Sequence, residues 1–182
     1  ELPPDTDIWG IRWKEAAYSG GHYREAAHMP LAGIDSPAAL EDYPWPDPYA
    51  CDIPGMRNQL RTRNPGRKRA VRTSGGNPFE IYTWMTGMEE TFVNLLTEPE
   101  IVRTALEKIT DYFVRRLELI LESAGKEIDL VFLADDLGSQ TGPLMSAELY
   151  REIIQPFHKK LVHAVRRHAP GSREGNRSHG RL

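Results

Sequence analysis

Along the chain, apolar positions change their spacing several times, and each change marks an element. Ile101, Val102, Ala105, Leu106, Ile109, Tyr112, Phe113, Leu117, Ile120 and Leu121 recur at helical intervals, which predicts a long helix over 99–124. Thr97-Glu98-Pro99 opens it, with proline in the first turn where a missing N–H does no harm, and Gly125 supplies the C-cap. Ile128–Ala134 is nearly continuous in apolar residues, the pattern of a parallel-sheet strand buried on both faces. A further helix starts at the N-cap Ser146 and runs through Leu149, Tyr150, Ile153, Ile154, Phe157, Leu161, Val162 and Val165, with a kink expected at Pro156. Upstream, Arg69–Ser74 reads as a short strand ending at Gly75-Gly76, and Glu89–Leu96 as a short helix. Alternating strand and helix in this way predicts an α/β fold, with the strands near 69–74 and 128–134 parallel.

The first 56 residues lack this rhythm. They hold eight of the 14 prolines, and Pro44, Pro46 and Pro48 alternate with Trp45, Asp47 and Tyr49, which blocks helix. Ile8–Trp13 and Tyr23–Leu31 flank Ser19-Gly20-Gly21 and predict a hairpin. Residues 57–72 form a basic bridge of Arg57, Arg61, Arg63, Arg67, Lys68, Arg69 and Arg72 without an acid. No aromatic residues interleave for base stacking, so the bridge reads as a solvated helix face leading into a strand. Gly171–Leu182 is abruptly polar where an α/β chain should begin its next strand. That tail is expected to be disordered, or the aberrant continuation of a truncated or frame-shifted gene.

Composition narrows the class. With 40% hydrophobic and 27% charged residues over 182 positions, the balance is that of a soluble globular protein. A mean hydropathy of −0.53 is low for a self-sufficient domain, and position 1 is Glu1 rather than Met, so the window is expected to begin inside a longer polypeptide. The net charge of −3 gives no global reason to bind nucleic acid. No run approaches a membrane span and no signal peptide opens the chain, which points to the cytoplasm. The one cysteine, Cys51, excludes a disulfide framework and a Cys-rich zinc module within the window.

The sharpest chemical signal is Asp135-Asp136 at the carboxyl end of the predicted strand, where loops of α/β folds line active sites. Two adjacent carboxylates, with Gly138 allowing close backbone approach, suit a cationic or N–H-rich ligand, a metal, or acid–base work. Their plainer role is to cap the turn and the next helix. Gly75-Gly76-Asn77-Pro78-Phe79-Glu80-Ile81-Tyr82-Thr83-Trp84-Met85 also follows a strand, so Glu80, Tyr82 and Trp84 are expected at the same face as Asp135, Asp136 and Gln140. No Gly-Lys-Ser/Thr follows the glycine pair, so it is no phosphate loop, and Phe79 and Trp84 serve equally well as packing residues. His158, His163 and His168 fall five apart, a rotation of roughly 140° per step, so they do not share a face as zinc ligands. His22 and His28 have no metal spacing, and no nucleophile elbow occurs.

Gly76–Met85, with Leu133–Pro143 and the following Leu144-Met145-Ser146, Tyr150, Pro156 and Leu161, resembles the uroporphyrinogen decarboxylase superfamily, over roughly residues 5–170. That superfamily contains the decarboxylases of haem synthesis and the cobalamin-dependent methyltransferases. Asp7-Ile8-Trp9-Gly10-Ile11-Arg12-Trp13, Pro30-Leu31 and Tyr43-Pro44-Trp45-Pro46-Asp47-Pro48 look like the methyltransferase-like branch. The resemblance implies a partial (β/α)8 TIM barrel over 1–170 with several strands missing: an irregular N-terminal proline-rich hairpin and loop region over 1–56, then β/α units over 57–170. By their places after the two strands, Asp135 and Asp136 are the expected catalytic residues, with Glu80, Tyr82, Trp84, Gly138 and Gln140 expected to bind substrate. Trp84 stands where the decarboxylases carry a catalytic tyrosine, and an indole offers no phenolic hydroxyl. Asp136 stands where they place a serine-containing turn. The resemblance implies no cofactor or metal within the window, because the zinc-binding His and Cys of the methyltransferases lie in the later half-barrel. Corrinoid and zinc then belong to the full-length relative. The expected function is cobalamin-dependent methyl transfer on a small-molecule or corrinoid-protein substrate, with no nucleic-acid or membrane partner. The alternatives are decarboxylation of uroporphyrinogen, and a non-catalytic remnant or interaction module.

Overall fold

Local hydrogen bonding near the N-terminus decides where the first strand begins. Asp7 accepts the Trp9 and Ile11 backbone N–H groups through Oδ1 at 2.9 and 3.1 Å, and the Trp13 indole N–H through Oδ2 at 2.8 Å. The carboxylate thus rolls Ile8–Ile11 into a turn that buries Trp9 and Ile11, and strand β1 (Arg12–Tyr18) starts after it. β1 pairs antiparallel with β2 (Gly21–His28), Tyr18 opposite Gly21, around the expected glycine turn. The computed structural model describes residues 2–168, so the polar tail lies outside the described residues.

Helix α1 (Pro37–Glu41) follows, then the alternating prolines, then α2 (Ile53–Arg63). Asp52 caps α2 by accepting the Gly55 N–H at 2.9 Å. No residue of α2 is buried, so its arginines are solvated. A 3-10 turn at Pro65–Arg67 brings Arg67 to Asp129, 2.6 Å away. Asn64 holds the backbone of Arg69 through both its N–H and its carbonyl, and for this reason strand β3 (Arg72–Gly76) starts later than the apolar pattern predicts.

β3 lies parallel to β4 (Leu130–Leu133), Arg72 beside Leu130 and Ser74 beside Phe132. The intervening chain forms α3 (Pro78–Thr86), α4 (Met88–Thr97) and α5 (Pro99–Ala124). α5 is the spine of the core. Its stripe of Val102, Ala105, Leu106, Ile109 and Leu117 is fully buried, and Tyr112 meets the Trp9 ring edge-on at 4.9 Å. Gly125 ends the helix by donating to the Leu121 carbonyl, but at φ −58° it stays right-handed and makes no left-handed cap.

β4 departs from its expectation. A strand buried on both faces needs a layer on each, yet Leu130 is 55% and Phe132 45% exposed. Among the described residues the sheet stops at two strands, and the Arg72 guanidinium, 4.7 Å above the Phe132 ring, is the cover that face receives. Unpaired strand edges and apolar faces of this kind drive association. The chain is therefore expected to self-associate with rising concentration in size-exclusion chromatography, and the double substitution Leu130→Lys/Phe132→Lys to suppress it. A wild-type monomer at every concentration would contradict this.

The remaining elements are a small hairpin, β5 (Gly138–Ser139) with β6 (Gly142–Pro143), then α6 (Ala147–Leu149) and α7 (Gln155–His168). Ser146 caps α6 by accepting the Leu149 N–H at 3.1 Å. Between α6 and α7 the backbone widens into a π turn over Tyr150–Ile154, where Gln155 donates to the Tyr150 carbonyl. Pro156 explains it. Proline has no N–H to donate, and its ring would collide with the carbonyl four residues back, that of Glu152. That carbonyl instead accepts from Arg103 of α5 at 2.9 Å. α7 then packs along α5. There burial works against ionisation of Glu118, but Arg167 (2.6 Å), Arg115 and His168 outweigh it and hold the carboxyl below its ordinary value. No described helix is long and apolar enough to cross a membrane.

Candidate functional site

Asp135 leaves the end of β4 and turns inward until its side chain is 1% exposed. Its Oδ1 accepts the Glu80 backbone N–H at 2.7 Å and its Oδ2 accepts that of Phe79 at 3.1 Å. These are donors of the first turn of α3, which have no partner within the helix and lie at its positive end. The approach depends on Gly75-Gly76. A Cβ on Gly75 would lie 2.4 Å from Leu133 Cδ2, and one on Gly76, whose φ is +120°, would lie 2.6 Å from Phe113 Cγ.

Oδ2 also meets His158 Nε2 of α7 at 2.7 Å, and His158 Nδ1 meets the Tyr150 hydroxyl at 3.1 Å. A carboxylate only accepts, so Nε2 carries a proton, and when the ring is neutral Nδ1 accepts from the Tyr150 hydroxyl. Burial, and secondarily the charge of Asp135, raise the Tyr150 phenol above its ordinary value. The π turn aligns the pair. Eight residues along a regular α-helix leave two side chains roughly 80° apart, whereas one residue absorbed by a π turn leaves about 20°.

The other sequence-predicted residues are distributed around this centre. Glu80 sits beside Asp135 through its backbone, and its own carboxylate accepts from Asn77 Nδ2 at 2.6 Å. Asp136 faces solvent and accepts the Gly138 N–H at 3.4 Å, with Gly138 and Gln140 exposed in the small hairpin. Trp84, one turn beyond Glu80, is half-buried and meets the Trp13 ring edge-on at 5.4 Å. Tyr82 lies on the inward stripe of α3 with Phe79, 1% exposed. Its hydroxyl forms no well-directed hydrogen bond, although Thr86 and Asn94 are near, and burial raises its pKa. The structure thus brings Asp135 and Glu80 together, leaves Asp136, Gly138 and Gln140 in one exposed loop, and puts Tyr82 in the core.

Sequence reasoning missed His158 and Tyr150 as partners of Asp135. Pro156, interrupting a helix between aromatic positions, was the signal that the helix phase changes there. Among the described residues no group of three His, Cys, Asp or Glu side chains is placed to hold a metal. The donors present therefore do not fit a zinc site, and the Cys51 thiol donates to the Pro48 carbonyl at 3.4 Å.

The family model "Uroporphyrinogen decarboxylase (URO-D)" matches residues 38–173, a span that includes Asp135, Tyr150 and His158. The chain belongs to the uroporphyrinogen decarboxylase family. It is also 30% identical over 130 residues to a methylated-thiol–coenzyme M methyltransferase of Methanosarcina mazei, an alignment covering 69% of this chain and 34% of that protein. The chain spans about a third of that relative's length. Together these make it a methyltransferase-like member of the uroporphyrinogen decarboxylase superfamily.

Proposed function

We propose that this chain is part of a cytoplasmic corrinoid-dependent methyltransferase built on a (β/α)8 barrel, in which a corrinoid, carried by a partner protein, exchanges a methyl group with a small thiol. Support for the barrel comes from the parallel β3–β4 pair, joined through α3–α5 and followed by α6–α7 in strand–helix order. Support for the thiol comes from the relative, whose name records methylated thiols as its substrates. The observation that carries methyl transfer over decarboxylation is Trp84. Its indole stands where the decarboxylases use a phenol, and it is wedged edge-on against Trp13, so it supplies no hydroxyl to a pyrrole substrate.

In this reading the buried Asp135 positions α3 and His158 around the site, Asp136 and Gln140 in the exposed loop hold the polar end of the substrate, and Gly138 admits it. Zinc, if the whole protein uses it, takes ligands from outside the described residues. The 182-residue chain by itself is expected to be inactive. The test uses the whole protein that carries this chain. With methylcobalamin and a simple thiol it should release thioether, and with uroporphyrinogen it should release no carbon dioxide. Carbon dioxide from uroporphyrinogen, or no thioether from any thiol, would overturn the reading.

A further inference from the structure

We propose that the cavity between β3 and α5 binds a small oxyanion, a phosphate or a carboxylate, held by Arg116. The site goes beyond the methyl-transfer reading and stands without it. A cavity of about 100 Å3 opens there, walled by Thr73, Ser74, Phe113, Arg116, Leu117 and Ile120. A cavity of about 150 Å3 holds benzene, so this one takes a ligand of roughly four or five heavy atoms, one anionic head with little attached. It is separate from Asp135, for Thr73 and Ser74 lie beside Val131 and Phe132, ahead of the strand end that Asp135 follows.

Arg116 is the one charged residue of these walls, and α5 gives it no counter-charge. Its neighbour Arg115 meets the Tyr49 hydroxyl at 2.6 Å and Glu118, three residues on, at 3.5 Å. The residues three and four positions either side of Arg116 are Tyr112, Phe113, Leu119 and Ile120, none of them acidic. Glu118 itself is taken up by Arg115 and Arg167. Among the described residues the Arg116 guanidinium makes no hydrogen bond or ion pair, and the Thr73 and Ser74 hydroxyls make no hydrogen bond. Ser74 shares its face of the sheet with the exposed Phe132 and forms the rim, whereas Thr73 pleats the other way, toward α5, and adds a hydroxyl donor. Phe113, Leu117 and Ile120 make the floor apolar. An anion seated against such a floor is drawn to the guanidinium more strongly than in open water, and the planar fork matches two oxygens of a carboxylate or phosphate.

Nitrogen-resolved NMR of the 182-residue chain tests the site. Titration with inorganic phosphate and, separately, with butyrate should move the Thr73 amide and Arg116 Nε–H resonances along saturable curves, while the Nε–H of the exposed Arg63 stays in place. Whichever anion binds more tightly assigns the head group. Arg116→Gln should weaken binding roughly tenfold to a hundredfold, the scale of losing hydrogen bonds to a charged group. Thr73→Val, which keeps the shape and removes one donor, should weaken it by less. No saturable response to either anion overturns the site, as does a response at Arg63 equal to that at Arg116, or unchanged binding in Arg116→Gln. Should Arg116→Gln fail to fold, Thr73→Val decides, and unchanged binding there overturns the proposal. Thiol methylation by the whole protein has no part in this test, so the two readings fall separately.

Discussion

Replacing Asp135 with alanine is expected to remove about 3–5 kcal/mol of stability, since hydrogen bonds to a charged group are worth about 1.5–3 kcal/mol apiece. The substitution strands three donors at once: the backbone N–H groups of Phe79 and Glu80 and the Nε2–H of His158. Each buried donor left unpaired costs about 1–3 kcal/mol, and the total rivals the whole stability of a small domain, about 5–15 kcal/mol. Asparagine keeps the side chain's shape and one acceptor oxygen, so Asp135→Asn should lose markedly less. Urea denaturation followed by circular dichroism measures both. An alanine variant within about 1 kcal/mol of wild type, less than one stranded donor should cost, would mean that the carboxylate does not hold α3, β4 and α7 together.

Gly76→Val should be nearly as damaging, for a different reason. At φ +120° a β-branched residue is strained by about 1–3 kcal/mol. Its Cβ, 2.6 Å from Phe113 Cγ, also forces an overpacked contact, for about 1–3 kcal/mol more. The two causes separate experimentally. Gly76→Ala combined with Phe113→Ala, which removes the clashing Cγ, should recover the steric part while the backbone part remains, so the double-mutant cycle should show positive coupling. Strictly additive losses would place the whole effect in the backbone.

Elements set by local spacing were legible before the structure. The long helix from Pro99 to Ala124 follows from its apolar stripe, and the Ser146 cap and the hairpin around Gly20-Gly21 follow from side-chain and turn chemistry. What sequence could not reveal depends on partners distant along the chain. The start of β1 was hidden because one carboxylate, Asp7, organises a turn from hydrophobic residues that also suit a strand. The exposure of β4 was hidden because an apolar run shows what a strand prefers to bury, not whether a layer exists to bury it. At the site, Asp135 was legible from its place after a strand. Its link to His158 joins residues 23 apart through tertiary packing, and no local pattern reports such a contact.

The π turn at Tyr150–Ile154 also bears on how this chain is compared with others. It is equivalent to an insertion of one residue inside a helix, and every position after it is rotated by about 100° relative to an uninterrupted helix. A homologue that runs straight through this region should be one residue shorter there. The gap then belongs within 150–154 and not in a neighbouring loop. An alignment that keeps the helix ungapped would pair His158 with a residue on the wrong face, and would report the histidine as absent from proteins that retain it.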